Sequence, residues 1–202
     1  MHVGNVGFLM NTFHGEIFED TLMRIHHASE ITLHPLAFKA HTTLGKEFEG
    51  YAINEVALFR ATAQAAKIAI SVDGKERLEE LSCDGIMLST PAGSTAYNLS
   101  AHGPIIPLGT NLLALTPISP FRPRRWRGAL LPSNAHIEFN VLNADHRLVL
   151  CSFDDKDLRD DTSTQHYVSQ IKIHQDLSKS YTLLFDPDHH LEDRIISEQF
   201  LG

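Results

Sequence analysis

Between residues 31 and 185 no apolar pattern runs far before a turn interrupts it, and this excludes long helices over most of the chain. The extended runs are Ile31–His34, Phe38–Thr43, Tyr51–Arg60, Lys67–Val72, Glu76–Ser82, Gly85–Ser89, Leu112–Leu115, Ala129–Leu131, His136–Val141, Leu148–Phe153, Val168–His174 and Tyr181–Phe185. Asp73-Gly74 sits between two of them, and Asp-Gly between extended runs is the strongest short-range hairpin signal. Many short strands with few helices predict a mainly β domain, a two-layer β-sandwich-like arrangement, over residues 31–186.

The two ends differ from this middle. Val3–Leu9 reads as a short buried strand broken by Gly4 and Gly7. Ile17, Leu22, Ile25 and Ala28 recur at helical spacing within Gly15–Glu30. Residues 1–30 are therefore expected to be the edge of an α/β unit. Leu191, Ile195, Ile196 and Gln199 predict an amphipathic helix in residues 187–202, after Asp186-Pro187 ends the last strand. No internal repeat or low-complexity segment is present.

Composition narrows the function classes. With 17 Lys and Arg against 25 Asp and Glu, the formal charge is −8, which argues against nucleic acid as the main partner. No apolar stretch approaches the roughly 18 residues that span a bilayer, and the first residues lack a basic signal-peptide region, so no membrane association and a cytoplasmic location are expected. The 13 His and 2 Cys form no HExxH and no CxxC, and no metal ligand set is expected among them. Cys83 and Cys151 are expected to be buried free thiols.

The stretch that carries chemistry is DGIMLSTPAGSTAYNLS, Asp84 to Ser100. An apolar strand feeds a turn of Ser89, Thr90, Pro91, Ala92, Gly93, Ser94 and Thr95, with Pro91 restricting φ and Gly93 free to adopt a conformation closed to other residues. A helix opening at Ser94 or Thr95, continuing over Asn98–His102, would leave free N–H groups suited to a phosphate. The alternative is a well-capped structural turn. Asn54-Glu55 lies within the Tyr51–Arg60 run, so the two side chains are expected to face opposite sides of a strand. Either the pair faces a ligand, with Glu55 accepting ribose hydroxyl hydrogens, or one member faces solvent while the other caps a loop.

Taken in order, INEVALFR, KIAISVDG, CDGIMLSTPAGSTAYNLSAHGPIIP and ALTPISPFRPRRWRGALLP resemble the NAD kinase family, and the opening GNVGFLMN is similar too. The tail LFDPDHHLEDRIISEQF resembles a bacterial, alphaproteobacterial-like branch. The resemblance implies transfer of the γ-phosphoryl of ATP, or of polyphosphate, to the adenosine-side 2′-hydroxyl of NAD to give NADP, with magnesium accompanying ATP. It implies that Asn54 and Glu55 hold the adenosine end of NAD and that Asp84 meets the nicotinamide-side ribose or amide. Ala92, Thr95, Ala96, Tyr97, Asn98, Leu99 and Ser100 would line the NAD pocket. It also implies a Rossmann-like N-terminal domain of which residues 1–30 are a remnant, a C-terminal helix returning to it, and a homo-oligomer, dimer or tetramer.

Two departures qualify this. The family's Gly-Gly-Asp-Gly motif, with its catalytic aspartate, belongs upstream of GFLMN and does not occur in this sequence. No catalytic residue is therefore expected in the 202 residues. Met1 aligns with an internal family position, as for a truncated gene or an internal start, and the chain alone is expected to be inactive. Where relatives carry a DGQ-like turn, this chain has Asp154-Asp155-Lys156. The basic cluster Arg122, Arg124, Arg125 and Arg127 around Trp126 is either a contact for a phosphate or an acidic subunit, or a solvated loop anchored by Trp126. The alternative function is a non-catalytic dinucleotide-binding or oligomer-assembly module.

Overall fold

The computed structural model describes Met10, Asn11, Gly15 and residues 17–159 and 163–186. The expected strand at residues 3–9 and the expected helix in the tail lie outside the described residues. Helix α1 spans Phe18–His27. The strands are β1 Ser29–Leu33, β2 Leu36–Thr42, β3 Glu47–Ala52, β4 Glu55–Arg60, β5 Ala66–Val72, β6 Lys75–Cys83 and β7 Gly85–Ser89. A 3-10 turn, Ala92–Thr95, and the short helix α2, Tyr97–Ser100, follow. Then come β8 Leu112–Ile118, β9 Ala129–Pro132, β10 Ile137–Val141, β11 Val149–Phe153, β12 Lys156–Asp157, β13 Val168–Gln175 and β14 Tyr181–Phe185.

The chain is mainly β, as its sequence predicts. One six-stranded sheet has the order β3-β2-β13-β10-β5-β6, a second has the order β12-β11-β4-β7-β8-β9, and β1 pairs with β14 in a separate ribbon. All the pairings within these sheets are antiparallel. A single apolar core lies between the two large sheets, with Phe38, Ile70, Phe139 and Ile171 from the first and Val56, Leu58, Ile86 and Leu115 from the second. Phe38 and Phe153 meet across the layers, their ring centroids 4.9 Å apart. At the Asp73-Gly74 turn both residues take positive φ, 53° and 72°, as a tight hairpin between right-twisted strands requires.

The outer faces of the two sheets are unlike. Strand β2, LAFKAHT, alternates buried and half-buried positions, the pattern of a strand with one face on the core. On that outer face Gln170 donates to Glu138 and Asn140, a polar surface suited to water. Strand β7, GIMLS, is buried at every position. Ile86 and Leu88 face the core, so Gly85, Met87 and Ser89 point the other way, where the segment after β7 covers them.

Two expectations are corrected. Tyr51–Arg60 is not one strand: the backbone bends at Ile53 and Asn54, sending β3 into the first sheet and β4 into the second. The apolar run is continuous because both arms bury a face, not because the strand is straight. Helix α1 forms as its spacing predicts, yet it buries no residue, and Phe18, Leu22 and Ile25 remain exposed. It is tied to the end of β14 by the half-buried pair Arg24–Asp186, at 2.5 Å.

Candidate functional site

The bend at Ile53-Asn54 is held from two sides. On one side, the Asp154 carboxylate, in the turn between β11 and β12, accepts the backbone N–H groups of Ile53 (2.8 Å), Asn54 (2.8 Å) and Glu55 (3.3 Å). The Asp154 N–H in turn donates to the Glu55 carbonyl at 3.1 Å. On the other side, the loop after β7 closes on the bend. The Thr90 N–H donates to the Asn54 carbonyl at 2.9 Å, and the Thr90 hydroxyl to the Ile53 carbonyl at 2.7 Å. Gly93 packs so close that a Cβ there would stand 2.7 Å from Asn54 Cα, inside contact distance. Its φ is not positive. Glycine is required here for approach rather than for conformation, a correction to its expected role.

The loop then runs back along the outer face of the second sheet. Ala92 is buried, Thr95, Ala96 and Leu99 are half-buried, and Tyr97 and Ser100 are exposed. The Tyr97 ring lies 5.8 Å from that of Phe59, at the far end of β4. Asn98 is fully buried: its amide donates to the Ser94 and Pro104 carbonyls, and its oxygen accepts the Thr116 hydroxyl at 2.6 Å. Ser94 is likewise consumed, its hydroxyl donating to the Pro91 carbonyl at 2.7 Å, with the Ile106 carbonyl 3.2 Å away, and accepting the Ile106 N–H at 2.9 Å. These two side chains clamp the loop to β8 and to residues 104–106.

The expected phosphate site at a helix start does not form. The helical path breaks at Ala96, α2 is a single turn, and the Gly93 and Ser94 N–H groups already donate to Thr90 and Pro91. The hydroxyls that would cap a helix fold the loop instead.

Glu55 points to the outer face, because its neighbours along β4, Val56 and, two further on, Leu58, alternate with it or lie in the core. Only 8% of it is exposed, and its Oε2 has no hydrogen-bond partner. Burial, aided by the nearby Asp154 charge, pushes its carboxyl up from 4.5 to about 7. A buried carboxyl with an empty acceptor is costly, and a ligand hydroxyl would satisfy it. Asn54 is half-buried beside it.

Asp84 stands at the other end of the same strand pair. Glu55 is opposite Ser89 and Phe59 opposite Gly85, so the two acids are separated by the length of β4, roughly 14 Å. Asp84 turns the chain from β6, in the first sheet, into β7, in the second. Its carboxylate accepts the Arg60 guanidinium at 2.6 Å. Glu55 and, through its contact with Phe59, Tyr97 thus share the outer face of β4, with Asn98 buried beneath the loop and Asp84 at the far end of the strand pair. Asp154, which the sequence marked only as a departure from a DGQ-like turn, was given no role there; the structure shows it holding the bend. Trp126, in the basic cluster, packs against the core, while Arg122 and Arg124 lie over the Phe121 ring at 5.8 and 5.3 Å.

Among the described residues no three His, Cys, Asp or Glu side chains come together to hold a metal ion, and no helix is long and apolar enough to cross a membrane. The two-sheet fold is shared with two solved kinases. Yeast NADH kinase complexed with NADH superimposes with a TM-score of 0.81 at 24% identity, over 98% of this chain and 56% of that one. An Archaeoglobus fulgidus NAD kinase in complex with ATP gives 0.69 at 22%, over 95% and 70%. These likenesses show a shared fold, two antiparallel sheets on one apolar core. Residues 53–178 match the family model of the ATP-NAD kinase C-terminal domain. An NAD kinase of Hyphomonas neptunium is 49% identical over 99% of this chain and 74% of its own length, and one from Cereibacter sphaeroides is 52% identical over 100% and 75%. The chain belongs to the NAD kinase family.

Proposed function

We propose that the corner at Asn54-Glu55 and the loop over residues 92–100 form the NAD site of an NAD kinase. The observation that carries this reading is the buried Glu55 carboxyl with an unfilled acceptor, at a bend against which the loop after β7 closes. Asn54 and Glu55 take the adenosine-side ribose. Tyr97, Thr95, Ala96 and Ser100 line the path of the dinucleotide, and Asp84 receives its nicotinamide side at the far end of β4. Leu99 and Ala92 shape the loop. Asn98, with its hydrogen bonds spent internally, acts by holding the loop in place.

The reaction is phosphoryl transfer. The adenosine 2′-oxygen bonds to the γ-phosphorus of ATP or polyphosphate, the bond to the leaving phosphate oxygen breaks, and the 2′-hydroxyl proton departs, giving NADP and the shortened donor. Magnesium enters with ATP as part of the substrate. Positioning and charge neutralisation dominate such chemistry. The aspartate of the family's Gly-Gly-Asp-Gly motif does not occur in these 202 residues, so this chain supplies the acceptor side of the reaction. A cytoplasmic enzyme assembled as a dimer or tetramer completes the reading, with residues 1–30 belonging to an α/β domain and 187–202 returning to it.

Calorimetry of the 202-residue chain with NAD tests the site: heat of binding is expected, and its absence for NAD and NADP alike overturns the assignment. With NAD, ATP and magnesium the same chain is expected to form no NADP. Turnover at a normal rate would show that the upstream aspartate is dispensable.

A further inference from the structure

We infer that Asp154 is the positioning residue of this site: its carboxylate holds the Ile53–Glu55 backbone in the bend that presents the Glu55 side chain to a ribose. This rests on the dinucleotide reading above and adds to it a residue that makes no ligand contact of its own.

The geometry is specific. Three consecutive N–H groups converge on one carboxylate, Ile53 on one oxygen and Asn54 and Glu55 on the other. The reciprocal Asp154 N–H to Glu55 carbonyl bond closes the arrangement. Asp154 itself takes a φ of 50°, a left-handed conformation that aspartate tolerates better than most residues. Without this acceptor the three N–H groups at the corner between two sheets would have no shared partner, and β4 would lose the anchor that sets its first residue.

Asp154 also acts on Glu55 through its charge, since two carboxyls near one another disfavour ionisation of the more buried one. Among the described residues Asp154 is the charge that acts on Glu55; its turn neighbours Asp155 and Lys156 add no contribution to the shift. The β7 end and the loop to Ser100 carry only hydroxyls, an amide and apolar groups, and on β3 the acids Glu47 and Glu49 are exposed and paired with Lys39. Asp154 therefore sets where the Glu55 carboxyl stands and adds its charge to the burial that raises the Glu55 pKa.

The test compares wild type with Asp154→Asn, which keeps the shape and removes the charge. Carbon-13 NMR of the Glu55 carboxyl in the unliganded chain should give a midpoint of about 7 for wild type and a clearly lower one for the variant. At a pH where Glu55 is ionised in both, the NAD dissociation constant should rise about tenfold in the variant, as a lost charge-assisted acceptor allows. An unmoved midpoint, or unchanged affinity, in a folded variant overturns the inference. Should the variant fail to fold, amide exchange in wild type decides: protected Ile53, Asn54 and Glu55 N–H groups support it, and fast exchange sinks it. If wild type binds no NAD, the function reading fails, while the titration and exchange still judge Asp154.

Discussion

Two of the crossings between the large sheets, β3 to β4 at Asn54-Glu55 and β6 to β7 at Asp84, set an acid at the corner, and they are built in opposite ways. At Asn54-Glu55 the acid is buried, unpaired and raised to about 7, while a second acid, Asp154, is spent on the backbone. At Asp84 the acid is half-exposed and already holds Arg60. Both corners need a glycine: Gly93 lies against Asn54, and a Cβ on Gly85 would strike the Leu58 carbonyl. The difference teaches that the turn alone demands the glycine, whereas the unfilled carboxyl is an added feature that the fold does not need. A group that costs stability and serves no internal contact is where a ligand is expected.

The largest break in this comparison comes from Gly93→Ala. A methyl driven into the Asn54 backbone has no flexible neighbour to displace, so stability should fall by about 3 kcal/mol, read by chemical denaturation, and NAD binding should go with it. Retained stability would mean that the loop and the bend can separate freely. Next is Glu55→Ala, expected to weaken NAD binding by about 1–3 kcal/mol through loss of a buried acceptor. Affinity equal to wild type by calorimetry would place Glu55 outside the pocket.

The pH response sharpens the contrast. Folding raises the Glu55 pKa from 4.5 to about 7, so the folded chain keeps a proton that the unfolded chain releases. Its contribution to stability is whole below 4.5 and declines as the pH climbs to about 7. The Tm of wild type relative to Glu55→Gln should therefore drop across that window, while NAD affinity, which uses the ionised form, rises. A constant Tm difference would mean that Glu55 titrates normally. The smallest effect belongs to the other corner: Arg60→Ala should change stability by less than about 1 kcal/mol, because the Arg60–Asp84 pair is solvent-screened. A larger loss in the melting curve would make the two corners alike in structural weight.

Much of the fold was legible because alternation and turn chemistry are local. Strand β2 shows its buried face in LAFKAHT, and Asp73-Gly74 marks its hairpin without help from distant residues. The straight strand expected over 51–60 failed because both sheets ask for the same apolar residues, and nothing in INEVALFR says that Asp154, about a hundred residues later, pulls the backbone round. The expected phosphate-binding helix start failed for a related reason. Thr90 takes the Gly93 N–H as a cap does, but it and Ser94 also spend their hydroxyls on Ile53 and Ile106, far along the chain.

The order of residues by itself determined the strand succession, the family, and which residue types gather in the loop from Ser89 to Ser100. Only the tertiary structure decided that Asn98 faces inward, that Gly93 serves approach rather than a left-handed turn, and that Glu55 is left with an open acceptor. Backbone preference is written in neighbouring residues, whereas burial and hydrogen-bond pairing depend on partners that meet only when distant segments pack.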